Sequence, residues 1–115
     1  MRESIDKLVI VWTSDDRDTA LKMVFMYTLN SRLKSWWDDI TLIIWGPSEK
    51  LISHDHELQE YLQRIKEQGV VLEACITCAN MYGVAQDLLE IGIDVKAMGP
   101  VLTKYIKEGR NILTF

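Results

Sequence analysis

Two cysteines, Cys75 and Cys78, are the residues whose type and spacing point most directly to chemistry. A thiolate is a nucleophile that can accept and release sulfur, and two thiols three positions apart can also close a disulfide. The 115-residue chain has no other cysteine, so the sequence excludes a disulfide-stapled scaffold. The question is where each sulfur lies.

The expected positions of the two cysteines differ. Cys75 follows an apolar run directly and falls in the turn before a helix, with Thr77 as the predicted N-cap. Backbone N–H groups at a helix start favour the thiolate, so Cys75 is the predicted nucleophile. Cys78 is predicted to pack in the core and, as the second choice, to act on an adduct at Cys75. Its predicted stripe on one long helix also contains Tyr82, Ala85 and Leu89.

Five apolar runs rich in β-branched residues supply the elements that position these thiols. The predicted strands are residues 7–12, 40–45, 70–74, 93–98 and 111–115. Continuous apolar runs are typical of parallel strands buried on both faces. One helical segment separates each pair of strands, and the last helix is predicted at 100–107. The pattern predicts a three-layer α/β/α sandwich with a mostly parallel five-stranded sheet, as a single domain over residues 1–115.

Open α/β sheets bind ligands beyond the carboxyl ends of their strands. Thr13 and Ser14 follow the first predicted strand, and Pro47 and Ser48 follow the second. Together with Thr77 they are the predicted lining of a pocket beside Cys75. The first loop contains none of the glycines of a dinucleotide or phosphate loop, so no cofactor is expected.

Composition excludes several other functions. Asp and Glu number 17 against 13 Lys and Arg, and this acidic balance argues against binding to nucleic acid. The longest apolar run, residues 8–12, is far below the roughly 20 residues of a membrane span, and the charged start contains no signal-peptide core, so a cytoplasmic protein is expected. His54 and His56 lack the order and spacing of a zinc finger, so no metal is expected.

A family resemblance rests on four stretches of the chain. They are residues 69–78 with the sequence GVVLEACITC, Gly83 eight positions beyond Cys75, the Gly46-Pro47 turn with Leu51, and residues 105–115 with Gly109 before the last strand. Together these resemble the DsrE/DsrF-like family across nearly the whole chain. The resemblance implies a flavodoxin-like parallel sheet, a homo-oligomer, and a persulfide on the cysteine at this strand–helix junction, which Cys75 matches.

Three functional hypotheses follow. The first is a small sulfur carrier, or sulfurtransferase-like protein, in which Cys75 accepts a persulfide sulfur from a donor protein and passes it to an acceptor protein. The second is a non-enzymatic module that binds a small anion at the helix starts, or has a regulatory role. The third is a thiol redox protein that uses Cys75 and Cys78 as a pair.

Overall fold

A computed structural model describes residues 6–115 and contains one five-stranded sheet in which every paired strand is parallel. The strands are β1 (Lys7–Trp12), β2 (Asp39–Ile44), β3 (Val71–Cys75), β4 (Asp94–Lys96) and β5 (Asn111–Thr114). Their order across the sheet is β4-β3-β2-β1-β5. Helices cover both faces, so the predicted three-layer α/β/α sandwich with a parallel five-stranded sheet is confirmed.

Six helices connect the strands. They are α1 (residues 17–33, made of Arg17–Thr19, a π-helical stretch Ala20–Phe25, and Met26–Leu33), α2 (Pro47–His54), α3 (His56–Glu67), α4 (Ile76–Tyr82), α5 (Ala85–Ile91) and α6 (Met98–Lys107). The predicted second and third helices are therefore each divided in two. Asp55 starts α3 by accepting the Leu58 N–H at 3.0 Å. Gly83, at φ +71°, ends α4 in the left-handed conformation that glycine adopts without strain.

The division at Gly83 overturns two details of the prediction. The expected stripe that joins Cys78 to Leu89 does not form, because the chain changes direction between them; Leu89 is exposed, and Ala79 and Leu88 are the buried residues of α4 and α5. The predicted N-cap Thr77 is also wrong. The helix already begins at Ile76, so Cys75, in extended backbone, occupies the N-cap position.

The two faces of the sheet are covered unequally. Strands β1 to β4 progress in one direction across the sheet, so their right-handed crossovers place α1 to α5 on the same face. The chain then returns across the sheet to pair β5 with β1, which places α6 alone on the opposite face. Alternate side chains of β1 serve the two layers: Ile10 belongs to the larger core and Val9 to the core beneath α6.

The register of the sheet determines which loops meet. Ile44 pairs with Ala74, so the turn after β2 begins beside the end of β3. Trp12 pairs with Ile44, which brings the loop after β1 to the same edge. Because all strands run the same way, the carboxyl ends predicted to form the site do lie together.

Candidate functional site

Cys75 is the last residue of β3, and its sulfur lies on the face that α6 covers. It belongs to the small core with Val9, Val11, Ile43 and Met98, and only 5% of its surface is exposed. The alternation of side chains along a strand explains this orientation, since neighbouring Ala74 belongs to the larger core. A molecule in solution therefore has little direct access to the Cys75 thiol.

Cys78, in the first turn of α4, is the more accessible thiol. It is partly buried and packs against the edge of the core that contains Cys75. The sequence predicts core packing for Cys78 and makes no prediction of the exposure of Cys75. Strand alternation turns Cys75 inward, and Cys78, in the first turn of α4, packs at the edge of the same core.

Three groups surround the Cys78 sulfur and alter its acidity. Burial raises the pKa of the Cys78 thiol, and the carboxyl group of Glu49 and the thiol of Cys75 raise it further. The backbone N–H of Gly46 acts in the opposite direction on the Cys78 pKa, because an N–H stabilises a thiolate. A resting Cys78 therefore holds its proton more tightly than an exposed cysteine does.

Gly46 shapes the turn between β2 and α2. Its φ of +85° and ψ of −138° belong to a conformation that is almost confined to glycine. Pro47 follows at the first helical position, where its missing N–H leaves no hydrogen bond unmade. This turn points the Gly46 N–H at the carboxylate of Glu49, with a distance of 3.0 Å to Oε2.

Glu49 is a site residue that the sequence analysis missed. The side chain is fully buried, and its Oε1 accepts no hydrogen bond from any group of residues 6–115. Burial raises the pKa of Glu49 to about 7, and the Gly46 N–H offsets part of that effect. A glutamate at the third helical position after a turn reads in sequence as an ordinary helix cap, and only the packing of α2 reveals its burial.

The predicted ligand-binding hydroxyls join the loops at the sheet edge. The Thr13 hydroxyl donates to the Phe115 carbonyl at 2.9 Å, and the buried Ser48 hydroxyl donates to the Trp12 carbonyl at 2.6 Å. Ser14 Oγ accepts the backbone N–H of the residue two positions on, and Pro47 lies in the first turn of α2. These contacts hold the edge together. Ligand binding at Thr13, Ser14, Pro47, Ser48 and the exposed Thr77 stays a prediction.

A second buried carboxyl lies two residues from Cys75, on the face that α6 covers. Glu73 is 3% exposed; Lys96 Nζ lies 2.6 Å from its Oε2, and the Tyr105 hydroxyl donates to its Oε1 at 2.8 Å. Burial, then the hydrogen bond to Glu73, raises the pKa of Tyr105 to about 12. The Arg110 guanidinium lies 4.2 Å from the centre of the Tyr105 ring. This carboxylate is fully partnered and ties β3 to β4 and α6.

The site thus combines two thiols, a buried carboxyl group and a backbone N–H. Thiols and a carboxyl group together can exchange a proton and then transfer sulfur or form a disulfide. Across residues 6–115, no three His, Cys, Asp or Glu side chains converge as a metal site would require. Nor does any helix of the described chain have the length and apolarity needed to cross a membrane.

Solved structures share this architecture. A conserved protein of unknown function from Bacteroides thetaiotaomicron, BT1422, superposes with a TM-score of 0.92 at 42% identity, over 96% of this chain and 95% of that one. The protein of unknown function MTH1491 from Methanobacterium thermoautotrophicum gives a TM-score of 0.78 at 19% identity, over 95% and 98%. The ychN protein from E. coli gives 0.72 at 17%, over 95% and 98%. The last two show the fold alone.

Sequence comparison agrees. The uncharacterized protein MJ0733 of Methanocaldococcus jannaschii is 30% identical over an alignment of 98 residues, with a coverage of 78% of each chain. The model of the DsrE/DsrF-like family matches residues 7–115, which include every strand and helix described above. The chain therefore belongs to the DsrE/DsrF-like family.

Proposed function

We propose that this protein is a sulfur carrier whose two cysteines accept and pass on a persulfide sulfur. The observation that carries the proposal is the pair itself: a partly exposed thiol, Cys78, packs against the small core that contains a buried thiol, Cys75, at the carboxyl edge of the sheet. Membership of the DsrE/DsrF-like family supports a sulfur-relay-related fold. The donor is a protein or small molecule with a persulfide, and the acceptor carries a thiol.

The greater exposure of Cys78 supports an order in which Cys78 reacts before Cys75. The Cys78 thiolate attacks the outer sulfur of the donor persulfide; a bond to Cys78 forms, the donor S–S bond breaks, and the donor leaves as a thiolate. The Cys75 thiolate then attacks the same sulfur, and Cys78 leaves as a thiolate. The persulfide on Cys75 is shielded by the core beneath α6 until an acceptor thiol takes the sulfur. In this order of steps Cys78 first accepts the sulfur from the donor, and Cys75 then holds it, as the family resemblance implies for Cys75.

Mass spectrometry tests the proposal. The protein is incubated with a cysteine desulfurase and cysteine, and intact and peptide masses are measured after alkylation. We expect one added sulfur in the wild type and in Cys75→Ser, and none in Cys78→Ser. The double variant contains no thiol and is the matched blank. No added sulfur on any variant would contradict the carrier function, and normal loading of Cys78→Ser would contradict the receiving role of Cys78.

A thiol redox function is the second candidate, because the interaction of the two sulfurs also suits a disulfide. In that reaction an external disulfide is reduced to two thiols while Cys75 and Cys78 are oxidised and joined. Equilibration in glutathione buffers separates the two functions. A Cys75–Cys78 disulfide in balance with the cytosolic glutathione pool would favour redox exchange over sulfur carriage.

We also propose that the carrier works as a homo-oligomer. Within residues 6–115, α6 is the single helix on its face of the sheet, and the apolar side chain of Ile106 on α6 is exposed. Leu113 of the edge strand β5 is also exposed; it pairs with Ile10 and so lies on the other face of the sheet. Burial of such side chains is a driving force for subunit association. Light scattering after size-exclusion chromatography checks this, and a mass equal to the 13.3 kDa chain would contradict it.

A further inference from the structure

Glu49 is a buried acid next to the thiols that the sulfur-transfer steps above do not use. Helices α2 and α4 pack against each other, and Trp45, four residues before Glu49, packs against the same small core as Cys78. The Gly46 N–H donates to Glu49 Oε2 at 3.0 Å, and Gly46 and Glu49 both shift the pKa of the Cys78 thiol. The carboxyl group, the Gly46 N–H and the Cys78 thiol therefore form one local site.

Within residues 6–115, no charged group lies near enough to Glu49 to compensate its charge. Each charged side chain of the other packed helices, α3 and α5, is exposed and directed to solvent. On α4 the titratable group that faces Glu49 is Cys78, with Cys75 behind it. Glu49 Oε1 has no hydrogen-bond partner among residues 6–115, although a buried carboxylate oxygen normally has one.

Helix capping explains only half of this arrangement. The bond from the Gly46 N–H to Oε2 is an ordinary capping contact at the start of α2. Capping glutamates are usually solvated, and capping does not require the second oxygen to be buried without a partner beside a thiol. The free oxygen therefore points to a second role.

We propose that Glu49 is the proton-transfer residue of the thiol site, taking the proton of Cys78 as sulfur arrives and returning it to the leaving thiolate. The inference rests on the proposed sulfur-carrier function and names the acid–base group of the same site. Its substrate is a persulfide, whose thiolate leaving group needs a proton once the transfer is complete.

The proton and the bonds balance in one cycle. The Cys78 S–H gives its proton to the Glu49 carboxylate, which leaves a thiolate and a neutral carboxyl group. The thiolate bonds to the outer sulfur of the donor persulfide, the donor S–S bond breaks, and the donor thiolate takes the proton from Glu49. Cys78 then carries the sulfur, the donor is a thiol, and Glu49 is again a carboxylate. A carboxyl group whose pKa of about 7 matches the operating pH suits both halves of this cycle.

The test compares two proteins that both carry Cys75→Ser, so that Cys78 is the single thiol. One keeps Glu49, and the other also carries Glu49→Gln. Glutamine keeps the size and an acceptor oxygen for the Gly46 N–H but carries no titrating proton. Glu60→Gln is the matched control, because it removes an exposed carboxylate from α3. Two readouts are measured: the rate of Cys78 alkylation by iodoacetamide against pH, and single-turnover sulfur uptake from glutathione persulfide by intact mass.

The two readouts should move in opposite directions. With Glu49 present, alkylation should show one inflection near pH 7 and a second above the free-thiol value of about 8.5, because the two groups titrate as a coupled pair. Glu49→Gln should leave one inflection in the alkylation profile. It should lie at a lower pH than the second inflection of the protein with Glu49, since the carboxylate charge that raises the pKa of Cys78 is gone. Sulfur uptake at pH 7 should nevertheless fall about 100-fold, as is typical for loss of an acid–base group. Glu60→Gln should change neither.

Three other results would contradict either the role of Glu49 or the carrier function. Equal uptake in both proteins with a single alkylation inflection would overturn the role of Glu49 and leave sulfur carriage intact. Absence of uptake in every protein, with an alkylation profile that depends on Glu49, would overturn the carrier function and preserve the thiol–carboxyl proton linkage. If Glu49→Gln does not fold, the parent profile decides, because a single inflection there contradicts the proposal.

Discussion

Glu49 and Glu73 are both buried glutamates, and their surroundings differ. Glu73 has a lysine ammonium and a tyrosine hydroxyl within hydrogen-bond distance, so its charge is paired and both oxygens are satisfied. Glu49 has one backbone N–H and an oxygen with no partner among residues 6–115. Burial of a carboxylate is unfavourable unless it is paired and hydrogen-bonded. Glu73 therefore stabilises the contacts of β3 with β4 and α6, whereas Glu49, at the start of α2, is a buried carboxyl group with a raised pKa.

The location of each glutamate fits this division. Glu73 points under α6, where Lys96 of β4 and Tyr105 of α6 contact it and stabilise the position of β3. Glu49 lies at the carboxyl edge of the sheet, next to the two thiols. An unpaired buried acid is a source of instability, and such groups concentrate at functional sites. Substituting each glutamate by glutamine in turn tests whether the contrast is real.

The largest expected effect is on the pH dependence of stability at Glu49. Its pKa rises from an ordinary 4.5 to about 7 on folding, which corresponds to about 3 kcal/mol. Because the folded state holds the proton more tightly, the penalty is absent below pH 4.5, grows as the unfolded carboxyl ionises, and is complete above pH 7. Urea unfolding should show a free energy of unfolding that falls over this interval, and Glu49→Gln should remove about 3 kcal/mol of that fall.

Glu60→Gln is the control for this measurement, because the exposed Glu60 should leave the pH profile unchanged. An unaltered fall in Glu49→Gln would show that Glu49 is ionised and solvated in the folded protein. That result would contradict the claim that Glu49, unlike Glu73, is a buried and unpaired carboxyl group.

The sequence predicts the sheet well because parallel strands produce a strong signal. Continuous apolar runs identify all five strands, and alternation with helices predicts the three layers. Helix continuity is predicted less well. Gly83 divides the predicted third helix, since a single glycine is compatible with both a helix interior and a boundary.

The candidate site is only partly predictable. The sequence identifies Cys75 and Cys78 from residue type and spacing, but it does not predict that Cys75 is the buried thiol and Cys78 the partly exposed one, because their burial depends on the strand phase and on where α4 ends. Glu49 has no signal beyond a helix-start pattern. Its burial follows from the packing of α2 on α4, a contact between segments about 30 positions apart that periodicity does not reveal.

Glu73→Gln should have the second-largest effect and the opposite sign. Glutamine removes the charge that pairs with Lys96, so we expect the free energy of unfolding at pH 8 to fall by about 2 kcal/mol. Lys96 is 37% exposed and also contacts Asp94 at 2.8 Å, which keeps the loss below that of a fully buried pair. At the same pH, Glu49→Gln should stabilise the protein. Two glutamine variants that shift stability in the same direction would contradict the contrast.

The smallest expected effect comes from Tyr105→Phe, which removes one of the two side-chain partners of Glu73. The ring and its packing under α6 are kept, while the hydroxyl that donates to Glu73 Oε1 at 2.8 Å is lost. Loss of one hydrogen bond to a charged group that keeps its ion pair with Lys96 should lower the free energy of unfolding by about 1 kcal/mol. Tyr82→Phe, which changes an exposed tyrosine, is the control and should be nearly neutral. If Tyr105→Phe has no effect, Lys96 alone satisfies Glu73, and the difference between the two glutamates reduces to the presence or absence of a single cation.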